Sequence, residues 1–248
     1  MEPSEIRLNR FLSQCGVGSR RKCDELIASG HLYCNGTRVT ELGTKINPER
    51  DLIEYRGKIV RRIDVKEYWA WYKPREVMVT ASDPQGRPTV YTELEKTGRD
   101  VSHLRYVGRL DFQSEGLLLL TNDGDMIHSL THPRFKIKKT YHVKVDRQMS
   151  PEEVARLLDG INSEGQLLRA GAVHRLSVPE KGRSQYWYEI DLYEGKNRQL
   201  RRMFEALQVR VGRLRRIQFA AVKLGSLKPG ELRPLQPREI AALKHTGY

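Results

Sequence analysis

Four consecutive leucines, at 117–120, form an apolar run too short for anything but a buried strand. They sit inside YVGRLDFQSEGLLLLTNDGD, residues 106–125, behind a β-rich approach over 104–107 and a polar loop. That order hangs one carboxylate, Asp111, on a loop held between two core strands. Arg109 stands just before it, and the arginine-rich segment 198–216 supplies further cations suited to keeping a carboxylate ionised in a desolvated site. An isolated R-x-D also caps turns or pairs structurally, so the meaning of Asp111 depends on the rest of the chain.

Charge narrows the choice of partner. A formal net charge of +13 and a pI near 9.7 point to a polyanion. Apolar residues remain plentiful and both signs of charge are interspersed, which indicates a folded basic protein with nucleic acid as its partner. At 248 residues the chain suits one large domain, or a large one with a small companion. Cys15, Cys23 and Cys34 show no C-x-x-C spacing and read as small buried residues in a reducing compartment. The start, MEPSEIRLNRF, lacks the apolar core of a signal peptide, and no apolar run approaches the roughly 18 residues of a membrane span. The expectation is a cytoplasmic protein with no membrane partner. No extended apolar heptad or repeated seam occurs, so a monomer is expected.

Taken in order, Leu8, Phe11, Leu12 and Cys15 repeat at helical spacing up to Gly16. Ser19 then N-caps a second helix with Cys23, Leu26 and Ile27 facing inward and Gly30 at its end. Arg20, Arg21 and Lys22 occupy its first turn, where the helix dipole disfavours cations; free backbone N–H groups with three cations describe a phosphate site. Asn35-Gly36 signals a hairpin, and a second strand pair is expected around Gly57. Residues 61–67 are charged and unpatterned, a linker. From Tyr68 onward, strand-like segments (YWAWY, VMVTA, LRYVG, LLLLT, TYHVKV, AVHRLSV, YWYEIDLY) alternate with short helices, which predicts an α+β domain with a mixed or antiparallel central sheet. Ser150, Pro151 and Glu153 combine N-cap, N1 proline and capping-box glutamate at the start of a helix over 151–158.

Residues 196–207, KNRQLRRMFEAL, predict a helix whose apolar stripe is Leu200, Met203, Phe204 and Leu207. Arg198, Arg202 and Glu205 fall on the opposite face, and Arg201 lies at the border, with its stem on the core and its guanidinium free to enter a cleft. Arg210, Arg213, Arg215 and Arg216 extend the positive surface. Such density of arginine suits bidentate phosphate contact. Metal chemistry lacks its signature, because HSLTH (His128, His132) has no H-E-x-x-H glutamate. Phosphate-loop, dinucleotide and nucleophile-elbow motifs are also missing. What remains is one carboxylate, arginines and aromatics in a basic protein, which fits chemistry on RNA with no cofactor and no metal.

Two resemblances sharpen this reading. RLNRFLSQCGVGSRRKCDELIASGHLYCNGTRV resembles the small RNA-binding domain named after ribosomal protein S-four. Tyr72-Lys73-Pro74, GRLD at 108–111 with GLLLLTNDGD, KKTYHV at 138–143 and EGKNRQLRRMF at 194–204 resemble the successive motifs of the RsuA-type pseudouridine synthases. The expected domains are therefore an RNA-binding module over 1–62 and a catalytic domain over 63–248. The resemblance implies Asp111 as the catalytic aspartate, Tyr141 as the tyrosine against the target base, and Arg201 as the basic partner of the aspartate. It further implies Arg109 as the residue holding the flipped-out nucleotide, and Lys73 with Pro74 as the strand lining the site. Ser19, Arg20, Arg21, Lys22, Arg198 and Arg202 complete the expected RNA contacts.

DPQGRPTV and NRQLRRMFEA resemble the branch acting on large-subunit 23S rRNA more than the small-subunit 16S branch. The substrate implied is ribosomal RNA, naked or within a subunit assembly intermediate. A non-catalytic RNA-binding or ribosome-assembly protein accounts for the same charge and module but gives no role to an aspartate on a core loop facing arginines. A glycosidase would need a second carboxylate at matched distance, and spacing identifies none.

Overall fold

Local chemistry builds the first elements. The computed structural model describes residues 5–62, 65–177 and 186–246. Strand β1 (Ile6–Arg7) leads into α1 (Leu8–Gln14), which buries Leu8, Phe11 and Leu12, and Gly16 turns the chain with φ +79°. Helix α2 (Arg20–Ala28) starts at Ser19, whose Oγ accepts from Lys22 N at 3.2 Å. Asn35 and Gly36, both at positive φ, close the hairpin of β2 (Leu32–Cys34) and β3 (Thr37–Val39). Strand β4 (Lys45–Ile46) pairs with β1, and β5 (Ile53–Tyr55) turns through Arg56 and Gly57 into β6 (Lys58–Ile59). Leu8, Leu12, Cys23, Ile27, Leu32, Ile46 and Ile53 form one buried cluster. Among the described residues this compact unit comprises 5–62 and 65–67, with 102–104 and 122–124. The expected boundary after residue 62 meets Ile63 and Asp64, which lie outside the described residues, as does part of the expected linker.

The second unit is built on a nine-stranded sheet among the described residues. Its elements are β7 (Tyr68–Lys73), α3 (Val90–Glu95), β8 (Arg105–Val107), β9 (Glu115–Thr121), α4 (Gly124–Thr131), β10 (Lys139–Val145) and α5 (Pro151–Asp159). The hairpin β11 (Ile161–Ser163) and β12 (Gln166–Leu168) follows, then β13 (Ala172–Leu176), β14 (Tyr186–Leu192) and α6 (Gln199–Ala206). Strands β15 (Val211–Phe219), β16 (Val222–Lys223) and β17 (Leu232–Pro234) and helix α7 (Pro237–His245) complete it. The sheet order is β13-β14-β10-β15-β9-β7-β17, with β8 on β9 and β16 on β15. Only β15–β9 is parallel among these pairs, so the sheet is mixed and the class is α+β.

The leucine run lies on an interior strand of that sheet, between β15 and β7. All four residues of 117–120 are at most 2% exposed, and Leu117 and Leu119 pack with Met126, Leu130 and Leu243 from α4 and α7. Each buried leucine contributes about 1.5–3 kcal/mol, so the run anchors both loops leaving β9. Helix α5 carries the expected capping box at Ser150 and Glu153.

Three expectations are corrected. VMVTA is not a strand: only Met78 bridges, to Thr89, its N–H donating to Pro88 O and its carbonyl accepting from Val90 N, and residues 79–81 form no ladder bond. The helix expected from residue 196 begins at Gln199, since Arg198 takes the left-handed conformation, φ +46°. GRLRRIQF, expected to extend the positive surface, is most of β15, an interior strand in which Leu214, Arg216 and Phe219 are buried while Arg213 and Arg215 stay partly exposed. The expected strand AVHRLSV ends at Leu176, and its last residue, Val178, lies outside the described residues.

Candidate active site

Asp111 occupies the turn between β8 and β9, as its sequence position requires. Gly108, φ +68°, bends the chain out of β8 where a side chain would be strained. Ser114 N donates to the Asp111 carbonyl at 3.0 Å and closes the turn, and Glu76 N donates to Phe112 O at 2.7 Å. Beneath it lies Lys73, wholly buried, whose Nζ donates to Ser114 O at 2.7 Å and Pro74 O at 2.8 Å. The turn is thus tied to the end of β7 by the hydrogen bonds of the Lys73 amino group rather than by packing alone. Lys73 was expected to line the site; the structure puts it behind the site, holding the backbone that carries Asp111.

A cleft of about 690 Å³ opens at this turn, lined by Asp111, Arg109, Tyr141, Arg201, Lys139 and Arg216 among others. Asp111 is half-buried, Arg109 exposed, and Tyr141 only 9% exposed. Tyr141 and Arg216 are register partners on β10 and β15, so their side chains share one face of the sheet. Lys139 shares that face, two residues before Tyr141. Among the described residues no side chain donates to the Asp111 carboxylate, which leaves its lone pairs for whatever enters the cleft.

Arg201, half-buried on α6, donates from Nη2 to Gln113 O at 3.2 Å. A direct ion pair with Asp111 is not formed; Arg201 instead braces the Asp111 turn and acts on Asp111 through space. Burial lowers its pKa, with the Asp111 charge opposing that shift. Arg202 corrects the sequence reading: it is 7% exposed, with Nη2 on the Ser163 carbonyl and Nη1 on Gln166 Oε1 at 3.2 Å, so it is committed to the β11–β12 hairpin. Its neighbour Arg198 is exposed and paired with Glu205 at 3.2 Å. Ser19 caps α2, and Arg20, Arg21 and Lys22 are exposed in the other unit, Lys22 pairing with Glu25 at 2.9 Å.

Three more charged residues lie at or behind the site; the sequence reading named Arg216 only as part of a positive surface and gave Glu115 and Lys139 no role. Glu115, 3% exposed, is paired with Arg213 and lies 3.5 Å from Arg215 Nε. Arg216, 1% exposed, donates from Nε to Leu117 O at 2.7 Å. Lys139 places Nζ on Ile137 O at 2.9 Å. Its pKa falls to about 8, first through burial and then through Arg216. Stepping by two from Tyr141 along KKTYHV would have found Lys139; nothing local marks the other two.

The buried Lys73 makes a measurable prediction. Burial brings its pKa to about 7, with the Asp111 charge acting the other way. In the unfolded chain the same ammonium holds its proton up to an ordinary value near 10.5. Between those limits the unfolded chain binds more protons, so this residue makes stability rise with pH from about 7 to about 10.5. Relative to the parent chain, Lys73→Met should lose that rise. Denaturant unfolding of both chains at several pH values in the window reads it, and parallel stability curves would contradict it.

Known proteins share both parts of this chain. The family model described as RNA pseudouridylate synthase matches residues 67–206, and that of the S4 domain matches residues 6–52. The chain is 38% identical over 239 residues to the ribosomal large subunit pseudouridine synthase B of Bacillus subtilis (strain 168), covering 96% of this chain and 95% of that protein. It is 36% identical over 241 residues to an uncharacterized RNA pseudouridine synthase of Aquifex aeolicus (strain VF5), covering 96% and 94% respectively. A solved pseudouridylate synthase aligns with TM-score 0.66 at 27% identity, covering 96% of this chain and 99% of its own. A cleft built around one unencumbered aspartate, and likeness along almost the whole length, place the chain in the RNA pseudouridylate synthase family, with an S4 domain ahead of the catalytic one.

Proposed function

We propose that this chain isomerises one uridine of ribosomal RNA, in the large subunit, to pseudouridine, with Asp111 as the catalytic residue. The observation that carries the proposal is the Asp111 carboxylate, which accepts no hydrogen bond from a side chain among the described residues, in a cleft with Tyr141, Arg201 and Arg109. The reaction breaks the N1–C1′ bond, turns the base and joins its C5 to C1′; the C5 proton leaves and N1 gains one, so no group or electron is added. A carboxylate serves this as a nucleophile on the sugar or as a base there, and covalent participation divides one hard step into two easier ones. Either role needs lone pairs not already engaged by the protein.

The base must leave its stack, at a cost of about a few kcal/mol. Buried Tyr141 offers its ring to the base inside, while exposed Arg109 at the mouth holds the flipped nucleotide. Arg201 keeps the Asp111 turn in place and adds positive charge at the cleft. The 1–62 module captures the RNA through phosphates, and 63–248 performs the chemistry on it in the cytoplasm, as a monomer without a cofactor. The large-subunit assignment rests on the relative named above. The test is incubation with 23S and 16S rRNA, naked and in assembling particles, followed by carbodiimide-stop mapping. A new stop in 23S rRNA supports the proposal, a stop only in 16S rRNA overturns the branch, and none in either overturns the function.

The capture role carries its own prediction. Ser19, Arg20, Arg21 and Lys22 present a capped helix start and exposed cations. Replacing Arg20 and Arg21 by alanine should weaken rRNA binding and flatten its log–log salt dependence by about 0.7–0.9 for each phosphate that is no longer neutralised. An unchanged slope would show that these arginines do not meet the backbone.

A further inference from the structure

Tyr193 stands where the catalytic machinery has no use for it. It follows the last residue of β14, is 45% exposed, and is the one strongly exposed large hydrophobic residue that lines the cleft among the described residues. An exposed aromatic at the mouth of a cleft that Arg109, Lys139, Arg201 and Arg216 also line offers a base a surface to stack on. Its ring is not loose. The Cδ2–Cε2 edge rests on Gly171, where an added Cβ would lie 2.7 and 2.4 Å from those atoms. Gly171 is held in turn by its N–H on Asp191 O at 2.8 Å. Cations share this part of the molecule: Lys196 and Arg198 line the cleft with Tyr193, paired with Glu194 at 3.1 Å and Glu205 at 3.2 Å, and Lys138 pairs with Asp191, two residues before Tyr193, at 2.7 Å.

Such a combination, an ordered ring with open surface among cations at a cleft mouth, matches a single-stranded nucleic acid platform. When one uridine is drawn into the cleft, the bases beside it lose a stacking neighbour and present a bare face. A ring already held in place takes up that face at small entropic cost, and the rim cations meet the adjoining phosphates. We propose that Tyr193 is the stacking platform for the unpaired base adjacent to the target uridine, and so sets which flanking context the enzyme accepts. This rests on the proposed function above, and it concerns recognition next to the reaction, not the reaction itself.

The experiment uses the full chain and an rRNA fragment that the parent chain modifies, with abasic sites placed in turn on the 5′ and 3′ sides of the target. Tyr193→Ala should weaken binding by roughly 5- to 100-fold, and Tyr193→Phe should retain parent affinity. Gly171→Ala, which displaces the ring, should behave like Tyr193→Ala. For the parent chain one abasic position should cost a similar factor, and for Tyr193→Ala that position should cost little more. Equal losses for Phe and Ala would assign the effect to the hydroxyl and overturn the proposal. Fully additive losses at both abasic positions would overturn it as well. A parent chain that binds rRNA but forms no pseudouridine in any fragment would instead remove the functional reading beneath it.

Discussion

Asp111→Asn should abolish pseudouridine formation, lowering turnover by at least about 10³-fold, while RNA affinity changes little. The substitution preserves size and the Ser114 N to residue 111 carbonyl bond of 3.0 Å, so the turn should survive. What it removes is the negative charge and the lone pairs of a carboxylate that no described side chain engages. A neutral amide is a poor nucleophile and a poor base, and no neighbour is placed to substitute: Glu115 is buried and held by Arg213 and Arg215. Single-turnover rates on rRNA, with binding measured separately, divide the effect into chemistry and affinity. Sustained turnover by this variant would reject Asp111 as the catalytic residue, whatever the family.

The parts of this chain that were legible in its sequence are those decided by neighbours along the chain. Asn35-Gly36 and Arg56-Gly57 take positive φ because a tight hairpin demands it. Ser150 and Glu153 cap α5 through bonds spanning three residues. The leucine run is a strand because nothing else buries it. The place of Asp111 on a loop between two strands was legible in the same way, and a bond between residues 111 and 114 closes that turn; the role expected of it came from the family resemblance, not from local pattern.

What was not legible depends on partners far away. β15 breaks the alternation of a strand with arginines whose polar partners lie about a hundred positions earlier, Arg213 with Glu115 and Arg216 with the Leu117 carbonyl. Arg202 lies on the polar side of its helix by periodicity, yet it is buried because the β11–β12 hairpin folds over it and offers the Ser163 carbonyl and Gln166. Lys73 was expected in the site because of the motif around it, whereas its observed partner, Ser114 O, makes it a support for the turn. Charged residues inside this domain satisfy backbone carbonyls and the buried carboxylate of Glu115, and no local pattern encodes that.

Gly116 tests the same architecture from the backbone side. It lies at φ +103° on β9, opposite Arg216 in the parallel pair with β15, and an added Cβ would meet Arg216 O at 2.3 Å and Arg216 N at 2.8 Å. Both are backbone atoms of an interior strand, so no side chain can swing away to relieve the clash. Gly116→Ala should therefore destabilise by about 3 kcal/mol or more, the range of severe core changes. Gly225→Ala is the control, because φ is also positive, +62°, but nothing lies within 4 Å of the added carbon. Backbone strain alone should cost that variant about 1–2 kcal/mol. The excess for Gly116 measures the close approach of β9 to β15, read by denaturant unfolding. Separating these strands would also draw Arg216 from Leu117 O and shift the turn that feeds β9. Turnover under conditions where Gly116→Ala is still folded should accordingly fall further than for Gly225→Ala. Equal destabilisation in the two variants would mean that the strands tolerate the methyl, and that Asp111 does not depend on their contact.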